Sequence, residues 1–145
     1  MTATREAVLA EARTWLRTPW RHMGDLRGVG VDCVMLLARV YGAVGAMPAG
    51  IDPRPYPIDW HLHRDEERYA TGMADYCDEI SESDLLPADI VLYRVGRCYS
   101  HAGIVMQWPQ QIIHAYRGEG VVISSGIGGQ LGGRPRRYFR ARGIV

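Results

Sequence analysis

The chain has 145 residues, of which 47% are apolar and 23% charged, with a formal net charge of +1. This length predicts a single domain, residues 1–145, that is large enough to bury a core. The near-neutral charge excludes a general electrostatic nucleic-acid binder. No stretch approaches the roughly 20 apolar residues that a membrane span requires, so we expect neither nucleic acid nor membrane as a partner.

Three cysteines, Cys33, Cys77 and Cys98, occur in a sequence whose N-terminus has no secretory pattern. We therefore expect synthesis in the cytoplasm without a signal peptide. An odd number of cysteines in a reducing compartment argues against a disulfide framework and raises the question of a reactive thiol.

The N-terminal half of the sequence predicts helices. Apolar residues recur at helical spacing over 4–17, 33–41 and 65–80, and Thr4 and Asp32 are suitable N-caps for the first two. The second segment is almost wholly apolar, which indicates a buried helix that Gly42 and Gly45 end.

The pattern changes after residue 87, where short β-branched and aromatic segments alternate with turn residues. Helices followed by an antiparallel sheet of about five strands define an α+β fold. The predicted strands are "DIVLYRV", "SHAGIVMQ", "QIIHAYR", "GVVISS" and "RRYFRAR".

Two histidines fall on one face of this predicted sheet. His101 and His114 lie on strands that "WP" joins into a hairpin, so their Cβ atoms are expected about 5–8 Å apart, directly opposite or one diagonal step away. Gly103 lies on the same face and leaves a gap there for a close approach.

Cys33 occupies the first turn of the predicted buried helix, where the helix dipole favours a thiolate. If that helix packs on the sheet face that carries His101, the two residues form an ion pair. His114 then orients His101, as the third member of a catalytic triad does.

Structural alternatives remain for each of these residues. Cys33 can be a small core residue, and either histidine can be a half-buried sheet residue bonded to backbone. The spacing Cys98-x-x-His101 also fits half a zinc site, with His114 and either Cys33 or His22 as further ligands. No second Cys-x-x-His pair and no Cys-x-x-Cys pair occurs in the chain, which disfavours zinc.

Four segments resemble a known family in order and spacing. "VDC" before an apolar helix, then "LLPADIVLY", "SHAGIVM" and "IIHAY" resemble the NlpC-type peptidoglycan cysteine peptidases of the papain-like superfamily. The segments "TPWRHMGDLRGVGVDC" and "IIHAYRGEGVV" look closest to the branch encoded by tailed phages and gene transfer agents. The likeness extends from about residue 12 to residue 142.

This resemblance implies the chemistry of a cell-wall hydrolase. Cys33 is the nucleophile, His101 the general base and acid, His114 the residue that orients His101, and Asp89 a structural aspartate at a strand start. The implied substrate is an amide bond of a peptidoglycan stem peptide, near D-glutamate linked to a diamino acid. No metal or organic cofactor is implied.

Four further residues are expected at the substrate site. Asp32, besides capping the helix, can face a substrate amino group, as the matching residue does in relatives. Val34 stands where the family usually has serine, and Trp20 where it usually has tyrosine, with His22 as a possible substitute for the missing hydroxyl. Met35 replaces the family's glycine.

The setting and two rival functions follow from the same resemblance. A wall hydrolase without a secretion signal can reach the wall at a phage or gene-transfer-agent tail tip, with tail or baseplate proteins as partners. The Pro-rich segment 46–60, through Ile51, Tyr56 and Trp60, either docks onto such a protein or packs on its own domain, which the pattern favours slightly. The rivals are a tail-tip binding component with little turnover and an acyltransferase or deamidase on the same scaffold.

Overall fold

The computed structural model describes residues 2–58 and 68–145. Within these residues the α-helices are α1 (Arg5–Arg13), α2 (Cys33–Val44) and α3 (Arg68–Ala74). Among them, no helix has the length and apolar character that crossing a membrane would demand.

The C-terminal half forms an antiparallel sheet of six strands, one more than the sequence pattern predicts. A separate two-stranded sheet pairs β1 (Asp25–Leu26) with β2 (Gly30–Val31). The six-stranded sheet has the order β3-β8-β4-β5-β6-β7. Its strands are β3 (Cys77–Ile80), β4 (Ile90–Val95), β5 (Cys98–Gln107), β6 (Gln111–Tyr116), β7 (Gly120–Ser124) and β8 (Arg136–Ala141).

The first two helices begin at the predicted caps. The side chain of Thr4 accepts a hydrogen bond from the N–H of Ala7 at 3.1 Å, and that of Asp32 accepts from Met35 at 2.9 Å. The first helix is shorter than predicted because the chain leaves helical geometry in a turn over 14–17. The second runs three residues further than predicted and ends where Gly45 takes a left-handed conformation, with φ of 82°.

The predicted helix over 65–80 is wrong in its second half. Its first residues lie outside the described part of the chain; α3 then ends at Ala74, and 77–80 form an edge strand. Cys77 pairs with Ala141, and the ladder continues to Ile80 opposite Tyr138. The apolar spacing fits both periods over so short a run, and pairing with β8 decides between them.

Helix α2 packs against the sheet face opposite to the one that carries His101. Its buried residues share the main core with Leu92, Ala102 and Ile104. A smaller cluster on the other face contains Tyr93 and Val105, and Tyr93 is the direct cross-strand neighbour of His101. The condition under which Cys33 and His101 were expected to form an ion pair, that α2 packs on the face of His101, is therefore not met.

A fully buried carboxylate ties the first helix to the sheet. Asp89 has no exposed surface and accepts hydrogen bonds from Arg5 at 3.0 Å and from Arg140 at 3.0 and 2.8 Å. The N–H of Leu86 donates to the same carboxylate at 2.8 Å. This network fixes the start of β4, the strand beside β5.

Candidate active site

The thiol of Cys33 lies at the N-terminus of α2, against the backbone of β5. Cys33 is 9% exposed, and its Sγ donates to the carbonyl oxygen of Ser100 at 3.6 Å. The hydroxyl of Tyr69 donates to the Cys33 carbonyl at 2.9 Å. The helix start therefore brings the sulfur to the residue that immediately precedes His101.

The two predicted histidines are directly hydrogen-bonded. Nε2 of His101 lies 2.8 Å from Nδ1 of His114, and Nε2 of His114 lies 2.8 Å from Oγ of Ser124 on β7. Tyr116 meets the His101 ring edge-on, with 5.6 Å between centroids. On the other side the Tyr93 ring lies 6.1 Å away. The pair is thus held between aromatic rings on one face of the sheet.

One open cleft of about 880 Å³ joins the helix start to the histidine pair. Cys33, His101 and His114 all line it. The four residues predicted at the substrate site line it as well, namely Trp20, His22, Asp32 and Val34. The structure thus gathers every predicted site residue around one space.

The resting protonation state differs from the predicted ion pair. Burial, aided by the charge of Asp32, raises the pKa of the Cys33 thiol to about 12. Burial, aided by the charges of His114 and Arg134, lowers the pKa of His101 to about 3. Burial lowers the pKa of His114 to about 4. Burial is the largest cause of all three pKa shifts, and these shifts favour a neutral thiol and neutral imidazoles at pH 7.

A neutral thiol and a neutral imidazole that line one cleft can still perform nucleophilic chemistry by general base catalysis. Within the described residues Nδ1 of His101 has no hydrogen-bond partner, and no buried side-chain nitrogen or oxygen there lacks one. That nitrogen is therefore open to the cleft. Cys33 also heads α2, where backbone N–H groups have no intrahelical acceptor and can bind a developing oxyanion.

Asp32 is buried and already hydrogen-bonded within the protein, which leaves little of it for a substrate to contact. It is 4% exposed, and besides capping Met35 it accepts from the N–H of Met23 at 2.8 Å and the hydroxyl of Tyr56 at 2.5 Å. Nδ1 of His22 lies 4.0 Å from the same carboxylate. Three donors already satisfy Asp32, so its capping role is the one that the contacts support.

Tyr56 also bears on the Pro-rich segment. Its side chain is 8% exposed and bonded to Asp32, so it is not available to a docking partner. This agrees with a segment that packs on its own domain. Trp60 lies outside the described residues.

Trp20 and Val34 form apolar parts of the cleft. Trp20 makes an isolated bridge to Val31, and the guanidinium of Arg117 lies 5.1 Å from the centre of its indole ring. Val34 packs against the main core. Neither side chain offers a hydroxyl group, so this end of the cleft favours apolar contact.

The expected gap at Gly103 is filled. A Cβ at this position would come within 2.8 Å of Cδ1 of Ile112. The glycine therefore makes room for a core side chain of the neighbouring strand, and not for a substrate.

The geometry does not favour the zinc alternative. Cys98 is completely buried and belongs to the main core with Ala102, on the face opposite to His101. In the part of the chain that the structure describes, no three His, Cys, Asp or Glu side chains are grouped so as to hold a metal ion.

Sequence reasoning missed Ser124. In the β6–β7 hairpin His114 pairs with Val122, and Ile112 with Ser124. Ser124 is thus one diagonal step from His114 on the same face. Aligning "QIIHAY" with "GVVIS" across the turn at 117–119 would have found it.

Burial of the two histidines predicts that the fold loses stability in mild acid. Their folded pKa values lie below the ordinary value near 6.5, so the unfolded chain binds more protons as the pH falls through 6.5. The free energy of unfolding should drop by about 1 kcal/mol per pH unit for each histidine, from about pH 6.5 towards their folded values.

Urea denaturation of wild type and of the double variant His101→Gln/His114→Gln, from about pH 7.5 to about pH 5, measures this. The wild type should show the steeper loss, because the variant has no buried imidazole to protonate. Equal slopes would mean that these rings accept protons in the folded protein as readily as in the unfolded chain.

Comparison with known proteins gives a consistent fold and no sequence-level match. No family model matches the chain, and no curated protein matches it by sequence. The NlpC/p60 domain of the peptidoglycan hydrolase SagA superposes with a TM-score of 0.62 at 22% identity, covering 93% of this chain and 97% of that one.

Two mycobacterial domains agree with this comparison. RipD from Mycobacterium tuberculosis, a non-catalytic NlpC/p60 domain protein adapted to peptidoglycan binding, gives a TM-score of 0.58 at 16% identity and covers 94% of this chain and 95% of that one. The P60 domain of the Mycobacterium avium paratuberculosis antigen MAP1272c gives a TM-score of 0.60 at 17% identity. The match covers 94% of this chain and 92% of that one. The class is thus an α+β domain with the NlpC/p60 fold.

Proposed function

We propose that this protein is a cysteine peptidase that hydrolyses amide bonds in the stem peptides of peptidoglycan. The observation that carries the proposal is the shared cleft, which is lined both by Cys33 at a helix start and by the hydrogen-bonded pair of His101 and His114. The sequence resemblance supplies the substrate, an amide near D-glutamate linked to a diamino acid. The fold shared with the peptidoglycan hydrolase SagA supports it.

Acyl transfer on these residues balances without an external co-reactant. Nδ1 of His101 takes the Cys33 proton as the sulfur attacks the amide carbon, and the oxyanion lies at the start of α2. The imidazolium gives this proton to the leaving amine, and a thioester remains. His101 then takes a proton from water, which attacks the thioester and releases the peptide acid and the thiol.

The buried thiol sets the conditions for this reaction. Because its pKa is raised, the sulfur becomes nucleophilic only as His101 removes the proton. A substrate that fills the cleft would have to displace the Sγ hydrogen bond to Ser100. We therefore expect Cys33 of the free protein to react more slowly with small electrophiles at neutral pH than an ordinary cysteine does.

The proposed setting is the tail tip of a phage or gene transfer agent, where the domain opens the wall for the particle. Two segments of sequence support this, "TPWRHMGDLRGVGVDC" and "IIHAYRGEGVV". Tail or baseplate proteins are the corresponding partners, and the bacterial cell wall is the site of action.

A second candidate function is peptidoglycan binding with little turnover. The burial of the Cys33 thiol and its bond to Ser100 favour it, and RipD is an NlpC/p60 domain protein described as non-catalytic. An acyltransferase or deamidase remains a third reading, since an amine can resolve the same thioester as water does.

Digestion of purified sacculi, with muropeptides analysed by mass spectrometry, tests the proposal. The wild type should release stem-peptide fragments, and Cys33→Ala should release none. Cys77→Ala is the matched control, because it removes the same atom from a buried site beside Met73. Intact muropeptides with the wild type, together with retention on sacculi, would favour the binding function instead.

A further inference from the structure

A serine extends the line of hydrogen bonds that begins at His101. Oγ of Ser124 lies 2.8 Å from Nε2 of His114, whose Nδ1 lies 2.8 Å from Nε2 of His101. The same Oγ lies 3.3 Å from the carbonyl oxygen of Ser125. Three side chains and one backbone carbonyl thus form a continuous chain.

The contact with Ser125 gives this chain of bonds a direction. A backbone carbonyl can only accept, so when the Ser124 hydroxyl donates to Ser125 it accepts the Nε2–H of His114. A neutral imidazole carries one N–H, so Nδ1 of His114 is bare and accepts the Nε2–H of His101. The remaining nitrogen, Nδ1 of His101, then holds a lone pair and faces the open cleft.

We propose that Ser124 is a positioning residue that sets the tautomer of His101, so that Nδ1 is the base available to Cys33. Only the expected change in kcat rests on the proposed peptidase activity. The tautomer itself is a property of the free protein.

Within the described residues, Ser124 is the hydrogen-bond partner of Nε2 of His114. His114 is buried, with 3% of its surface exposed, and its direct partner on β7 is Val122, which has no polar side chain. Without the Ser124 hydroxyl, Nε2 of His114 is unpaired in either tautomer. His114 can then carry its proton on Nδ1 and donate to His101, which leaves Nδ1 of His101 protonated and unable to act as a base.

The test compares Ser124→Ala and Ser124→Thr with the wild type. In the wild type, ring nitrogen NMR should show His101 with a bare Nδ1 and a protonated Nε2. Ser124→Ala should shift His101 towards a protonated Nδ1 and lower kcat about three- to tenfold, with KM unchanged. Ser124→Thr retains the hydroxyl and should restore both the tautomer and kcat.

Two results would overturn the role of Ser124. One is the finding that His101 of the wild type carries its proton on Nδ1. This measurement does not depend on whether any variant folds. The other is Ser124→Ala with the wild-type tautomer and kcat. If the wild type hydrolyses nothing, the proposed function fails, yet the NMR comparison still decides whether Ser124 sets the tautomer.

Discussion

Replacing His101 with alanine should lower kcat for stem-peptide hydrolysis by about 10³-fold or more, with a much smaller change in KM. The reason is the protonation state of the site. The Cys33 thiol is neutral at rest, so no thiolate is available unless Nδ1 of His101 removes the proton. A cysteine that was already ionised would keep more of its reactivity without the histidine.

The double variant His101→Ala/His114→Ala provides the internal check on this result. Because His114 acts by orienting His101, the double variant should be no slower than His101→Ala alone. Rates should be measured on a soluble stem peptide with folding verified by circular dichroism. If the double variant lost activity by the product of the two single losses, His114 would not act through His101.

Asp89→Asn should lower the free energy of unfolding by about 3 kcal/mol. The carboxylate is fully buried and holds Arg5 and Arg140, and the asparagine leaves both guanidinium groups without a counter-charge. The arginine side chains are 20% and 31% exposed. Both arginines can therefore reach water. For this reason the expected loss in free energy of unfolding is at the lower end of the range for breaking a buried ion pair.

Asp78→Asn is the matched control for this measurement. Asp78 also pairs with an arginine, Arg142, at 3.0 Å, but the two side chains are 70% and 52% exposed. Its loss should cost less than about 1 kcal/mol. If urea denaturation gave equal shifts for the two variants, the Asp89 network would not be what secures α1 to the sheet.

The helices that carry their own end signals were the most predictable part of the fold. Asp32 begins α2 as predicted, since a cap acts through local hydrogen bonds. Gly45 ends it, whereas the prediction ended the helix at residue 41 and Gly42 lies inside it. The helix predicted over 65–80 has no such end signal. Its last four residues became β3 because β8, some sixty residues later, supplies the pairing partner, and no local pattern carries that information.

The features of the site that depend on local sequence were also easier to predict than those that depend on long-range packing. Alternation along two neighbouring strands was enough to place His101 and His114 on one face, and they lie within hydrogen-bond distance. The face on which α2 packs depends on the twist and closure of the whole sheet, so the sequence could state that packing only as a condition for the ion pair. The predicted ion pair of Cys33 and His101 disagrees with the pKa shifts for a related reason. Desolvation depends on how deeply each group is buried, which the sequence does not specify.

The most direct test of the central claim is to trap the acyl-enzyme. Wild-type protein mixed with a stem peptide and quenched in acid should show a mass increase equal to the acyl fragment, located on Cys33 by peptide mapping. The adduct should be absent from Cys33→Ala and form far more slowly in His101→Ala. Cleavage of the peptide by Cys33→Ala, or an adduct on another residue, would contradict a thioester mechanism at this cleft.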